Sequence, residues 1–162
     1  ARAGRAAGIF LKLNSLEDRA LIRKLYDASN AGVPVRLIIR GICCLVPGIA
    51  GLSANIEAIS IVDRFLEHTR VYAFTNGGRH TVMLSSADWM SRNLDRRIEV
   101  AFPILDGALC QLVLDLMEIQ WRDQMKARRI DARQTNTYRN ADRRDPKSRA
   151  QVATYRKLAS MT

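Results

Sequence analysis

The sequence predicts an α/β fold: a mixed sheet flanked by helices, followed by a helical C-terminal extension. Three observations lead there. Residues 8–13 (Gly8, Ile9, Phe10, Leu11, Lys12, Leu13) form an apolar run, residues 16–30 carry apolar side chains at helical spacing, and residues 35–39 form a second apolar run. Strand, helix and strand with short links make a βαβ unit, whose strands run parallel. Further on, Asn76-Gly77-Gly78 separates two strand-like runs at 70–74 and 81–84, a hairpin signal that adds antiparallel pairing. From Asp106 the pattern changes to a long amphipathic helix reaching about Arg129, with Ala108, Leu109, Leu112, Val113, Leu116, Ile119 and Gln120 on its face.

Taken in order, the first strand ends at Asn14. Ser15 is a good helix N-cap, with Asp18 three residues on in a near capping-box arrangement. Leu16, Ala20, Leu21, Leu25 and Ala28 give the helix its apolar positions, and Gly32 ends it. Pro34 precedes the second strand. Arg40 stands where that strand ends, before a loop over 41–53 that contains Gly41, Pro47, Gly48 and Gly51. Residues 55–60 read as a strand. One helical turn over 61–66 then delivers His68 to the start of the strand at 70–74. His80 falls at the hairpin turn, a surface position. Residues 96–103, with Ile98, Val100 and Phe102 alternating, close the sheet. Trp121 packs on the core, residues 131–146 form a polar linker, and 148–160 form a last short helix. The chain divides into an α/β core over 1–105 and a helical extension over 106–162 of the same domain.

At 162 residues the chain is one domain with enough length to bury a core, and 48% apolar content fits a globular protein. No apolar run reaches membrane-spanning length, and no signal peptide is visible. The three cysteines, Cys43, Cys44 and Cys110, have neither metal spacing nor the look of a disulfide framework. They read as buried free thiols in a reducing cytoplasm. The net charge of +10 implies an anionic partner: polyphosphate, nucleotide, nucleic acid or anionic lipid. Between Trp121 and Arg149 there are ten Lys or Arg against four Asp or Glu. This basic stretch is first of all a solvated face, and second a contact to a polyanion or another domain.

The stretch 65–99 concentrates the chemistry. His68 and Arg70 lie two apart, on one face of an extended segment. Ser86, Asp88, Arg92, Asn93, Arg96, Arg97 and Glu99 then crowd a short span between apolar runs, which marks a site rather than a core. Ligands of parallel α/β sheets gather beyond the carboxyl ends of strands, where Arg40 stands. Its planar fork suits phosphate oxygens, and position alone leaves equally open an ordinary solvated arginine at a structural turn. An imidazole titrates near neutral pH and can move protons. Phosphoryl transfer rests mainly on positioning and on cations that stabilise spread-out oxygen charge.

At superfamily level His68-x-Arg70, Ser85-Ser86-Ala87-Asp88 and Glu99 resemble half of a phospholipase D site. Arg70 replaces the motif lysine, Thr75 the later aspartate and Asp88 the asparagine, which argues against phosphodiester hydrolysis. Phe65-Leu66-Glu67-His68, Ser85-Ser86-Ala87-Asp88-Trp89-Met90, Arg92-Asn93-Leu94-Asp95-Arg96-Arg97 and Arg40-Gly41-Ile42-Cys43-Cys44-Leu45 resemble more closely the last catalytic domain of bacterial polyphosphate kinase. The resemblance implies a phospholipase-D-like mixed sheet and reversible transfer of the terminal phosphate of ATP to polyphosphate. It implies ATP or ADP as substrate and a phosphohistidine in a preceding domain. The Mg²⁺ site is expected there too, with no metal ligands in this chain. It gives His68 the role of assisting proton transfer and puts Arg40 and Arg70 on ATP or phosphate, with Lys12, Ser86, Asp88, Arg92 and Arg96 as further candidates. The implied partners are polyphosphate, ATP, the upstream domains and further copies of the enzyme, without specific nucleic acid. The implied setting is cytoplasmic, with peripheral association at the inner face of the membrane left open. Two other readings stand beside this one: a phospholipase-D-like phosphodiesterase or nuclease half-site, and a non-catalytic module that binds polyanions. Aromatic content of 6%, not interleaved with the basic run, offers no stacking platform for single-stranded nucleic acid.

Overall fold

The computed structural model describes residues 1–140 and 149–161. Among these residues eleven elements follow in the order β1 (Ala7–Leu13), α1 (Arg19–Asn30), β2 (Val35–Ile39), β3 (Ile56–Ser60), β4 (Arg70–Asn76), β5 (Arg79–Ser85), α2 (Ser91–Arg96), β6 (Ala101–Pro103), α3 (Gly107–Trp121), β7 (Arg128–Ile130) and α4 (Ala150–Ala159). The strands form one mixed sheet in the order β6-β5-β4-β1-β2-β3-β7. β1 runs parallel to β2, with Leu11 opposite Leu37, and antiparallel to β4, with Leu11 opposite Tyr72. The βαβ unit and the hairpin expected from the sequence are both present. Gly77 and Gly78 take positive φ at the hairpin turn, where a side chain would be strained.

Side chains of β1 alternate between two cores. Leu11 and Leu13 face α1 together with Ile22, Leu25, Leu37, Ile39 and Tyr72. Phe10 faces α3 together with Ile38, Val71, Met117 and Trp121. The result is a sheet with a helix on each face: α1, the crossover between the parallel strands β1 and β2, covers one, and α3 covers the other. Each fully buried Leu, Ile or Phe stabilises this arrangement by about 1.5–3 kcal/mol. Trp121 meets Phe10 edge-on, with ring centroids 5.7 Å apart.

Five local readings need correction. Helix α1 starts at Arg19, and its N-cap is Asp18, whose carboxylate accepts from Leu21 N, rather than Ser15. Ser15 and Leu16 instead are stitched into the neighbouring loops: Leu16 N donates to Ile42 O and Trp89 N to Ser15 O. Residues 61–66 are irregular, with a bend at residues 64 and 65, not a helical turn. Strand β6 has three residues at the edge of the sheet; Phe102 lies in it, Ile98 and Val100 precede it, and all three are exposed. Helix α3 stops at Trp121, because Asp123 caps the following turn through the amides of Met125, Lys126 and Ala127. The chain then returns as β7, pairing antiparallel with β3. Of the cysteines, Cys44 is exposed, while Cys43 and Cys110 are partly buried. Of the expected polar linker, residues 131–140 form no helix and meet the sheet through a bridge from Tyr138 to Arg128, while residues 141–146 lie outside the described residues.

Candidate functional site

The sheet topology decides where the polar groups meet. β1 and β2 are parallel, so Leu13 and Ile39 end side by side. The next residues, Asn14 and Arg40, extend past that edge. β4 is antiparallel to β1, so it begins at the same edge, with Val71 opposite Lys12 and Arg70 one residue earlier. β5 finishes there too, with Ser85 opposite Arg70, and Asp88 follows three residues on. Four strands thus deliver Asn14, Arg40, Arg70 and Asp88 to one end of the sheet, where α/β folds place ligands.

Asp88 is the hub. Its carboxylate is 1% exposed and accepts from Asn14 N at 2.7 Å and Ser15 N at 3.0 Å. Arg70 adds Nε at 3.2 Å and Nη2 at 2.8 Å, and Asn14 Nδ2 adds a longer bond at 3.3 Å. Burial pushes this carboxyl up, but the Arg70 hydrogen bonds and the Ser15 and Asn14 amides outweigh it and hold its pKa below the ordinary range. The neighbouring turn is fixed by Tyr72, whose hydroxyl donates to Ala87 O at 2.5 Å.

Arg70, pinned by Asp88, grips His68 twice. Nη1 donates to the His68 carbonyl at 2.9 Å, and Nη2 lies 2.7 Å from His68 Nε2. A guanidinium can only donate, so Nε2 accepts and the neutral ring carries its proton on Nδ1. His68 is exposed. On the other side, Arg40 Nε donates to Asn14 Oδ1 at 2.7 Å. Its Nη groups make no hydrogen bond among the described residues, so the end of the fork is open to an anion. A cleft of about 170 Å³ lies beside Arg40, lined also by Asp63, Phe65, Leu66 and Glu67. Arg40, Asn14, Asp88, Arg70 and His68 form one continuous hydrogen-bonded chain.

A family model described as polyphosphate kinase C-terminal domain 2 matches residues 1–151. The chain belongs to that family. It is 54% identical over 161 residues to the polyphosphate kinase of Escherichia coli (strain K12), covering 99% of this chain and 23% of that protein. It superposes on the crystal structure of polyphosphate kinase from Porphyromonas gingivalis with a TM-score of 0.93 at 48% identity, covering 99% of this chain and 24% of that one. The chain therefore spans about a quarter of the length of these relatives. Nuc from Salmonella typhimurium, a phospholipase D family member, matches with a TM-score of 0.60 at 16% identity, covering 82% of this chain and 87% of that one. That likeness shows the fold alone, and it agrees with the expected phospholipase-D-like sheet.

Within this polyphosphate kinase domain the remaining sequence candidates fall in different places. Lys12 is buried, its ammonium bound to Glu67 and, at 2.6 Å, to Gln120 Oε1. Burial lowers its pKa against the opposing pull of Glu67. Ser86 donates to Glu99, which also accepts from Asn93 Nδ2 at 2.6 Å. Those two hydrogen bonds keep the Glu99 carboxyl below its ordinary range. Arg92 and Arg96 are exposed on α2 and form no ion pair among the described residues. Sequence reasoning passed over Asn14, the link between Arg40 and Asp88. Its position, one residue past the end of a strand parallel to its neighbour, was the available signal. The residues present do not fit a Mg²⁺ site: Asp88 and Glu99 are engaged, and no group of three His, Cys, Asp or Glu among the described residues could hold a metal. No helix among the described residues is long and apolar enough to cross a membrane.

Proposed function

We propose that this chain is the C-terminal catalytic domain of a polyphosphate kinase, which moves the terminal phosphate of ATP reversibly onto polyphosphate. The observation that carries the reading is the chain Arg40–Asn14–Asp88–Arg70–His68, built at the carboxyl end of β1 and β2 in a member of this family. In this reading the γ-phosphoryl group passes to a histidine of a preceding domain and then to the terminal phosphate of the polymer. This chain supplies the facing wall. Arg40 binds phosphate oxygens with its open fork. Arg70 and Asp88 fix the orientation and tautomer of His68. His68 carries a proton on Nδ1, to hold or release as charge develops on the transferring oxygens. Mg²⁺, if held as the family implies, is held by the preceding domain. The net charge of +10 suits a polyanionic substrate.

The test is polyphosphate synthesis from ATP by the complete enzyme. His68→Ala should lower turnover by roughly 10²–10⁴-fold, the scale of losing a general acid or base. Thermal unfolding should stay unchanged, because the imidazole is exposed. Wild-type turnover in the variant would refute the reading.

A further inference from the structure

We propose that Gln151, at the start of α4, is a positioning residue that holds the segment carrying His68 in its working shape. The inference rests on the role proposed above for His68. Residues 61–69 form no helix or strand, and no backbone–backbone hydrogen bond holds them among the described residues. Hydrophobic packing does not hold them either at their centre: Phe65 is 66% exposed and Leu66 71%. The segment depends on side chains reaching in from elsewhere.

Gln151 satisfies both backbone groups of Phe65. Phe65 N donates to Gln151 Oε1 at 3.0 Å, and Gln151 Nε2 donates to Phe65 O at 2.8 Å. The same Nε2 reaches Glu67 Oε1 at 3.1 Å, next to His68. A side-chain amide holds a donor and an acceptor side by side, so it can copy the pairing that a neighbouring strand would provide. Arg149 adds a two-point contact to Asp63, through Nε at 2.8 Å and Nη2 at 2.5 Å. Lys12 holds Glu67 from the sheet side.

Helix α4 is itself firmly seated. Ala150 is buried and its amide donates to Asp123 Oδ2 at 2.6 Å, while Lys157 pairs with Asp115 of α3 at 3.0 Å. The clamp therefore joins the catalytic segment to the C-terminal end of the chain. Because Phe65 is open to water, solvent can replace the lost hydrogen bonds. Removing the amide then costs position more than stability.

The experiment uses the complete enzyme with Gln151→Met, which keeps length and helix propensity but removes both hydrogen-bonding groups. Hydrogen exchange of the peptide covering 61–69 should quicken about tenfold. Turnover should fall roughly 10–100-fold, as misplaced catalytic groups do, with the KM for ATP little changed. In a His68→Ala background Gln151→Met should cost nothing further, because its effect passes through His68. Gln151→Glu, which keeps the acceptor and sets a charge beside Glu67, should behave like Gln151→Met. Unchanged exchange would overturn the clamp. An equal loss of turnover in both backgrounds, or faster exchange with full turnover, would overturn its link to His68. Full turnover in His68→Ala alone would sink the role proposed for His68, and the exchange measurement would still decide whether Gln151 holds the segment.

Discussion

Replacing Asp88 with Ala should strip the site of its anchor and cost the domain a large share of its stability. The carboxylate receives two backbone amides and two bonds from Arg70, whose side chain is only 13% exposed. Without Asp88 that guanidinium is left charged and mostly buried. Breaking one side of a buried ion pair costs about 3–5 kcal/mol. A domain of this kind has about 5–15 kcal/mol in total. In urea, with a slope of about 2 kcal/mol per molar, the midpoint should drop by roughly 2 M. Asp88→Asn keeps the shape and one acceptor, so it should lose less, about 1.5–3 kcal/mol. The pH dependence follows from the sign of the shift. The folded pKa of Asp88 is depressed, so its contribution is present above the unfolded carboxylate value of about 3.9 and fades as pH falls through the lower folded value. The gap between wild type and Asp88→Asn should therefore narrow in acid. A loss below 1 kcal/mol for Asp88→Ala at pH 7, or a gap that widens in acid, would refute the assignment of Asp88 as anchor.

Three further outcomes are expected. Arg40→Lys in the complete enzyme should lower turnover at least tenfold with the fold intact, because an ammonium cannot bond Asn14 and still present a fork; near-normal kinetics would remove Arg40 from the site. Iodoacetamide at pH 8 should modify exposed Cys44 before Cys43, whose thiol burial pushes up to about 11, as peptide mapping would show. The isolated chain should bind polyphosphate with an affinity that falls steeply with salt, and should not synthesise it from ATP, as titration at several ionic strengths and a synthesis assay would show.

Much of this was legible in the sequence, for identifiable reasons. The βαβ unit and the hairpin rest on periodicity and glycine turns, which are local signals, and both formed. His68, Arg70 and Asp88 stood out because polar residues crowded between apolar runs. What escaped depends on contacts distant in sequence. Ser15 was read as a cap because the N-cap signal is local, whereas its backbone is committed to Trp89 and Asp88. Residues 61–66 read locally as a helical turn, but their polar partners are Arg149 and Gln151, some 86 residues away. Lys12 sits in a strand whose neighbours are apolar, and only the fold brings Glu67 and Gln120 to its ammonium. Ile98, Val100 and Phe102 alternate as a strand should, but the strand begins only at Ala101, at the edge of the sheet, and no sequence pattern shows either fact.

The central claim is that His68 assists the transfer and does not carry the phosphate. The measurement is to incubate the complete wild-type enzyme with γ-labelled ATP, digest it, and locate acid-labile phosphate by peptide. The account predicts label on a histidine of the preceding domain and none on the peptide spanning residues 65–70, where Arg70 occupies Nε2 of His68. Label on that peptide would make His68 the nucleophile and contradict the division of roles argued from this site.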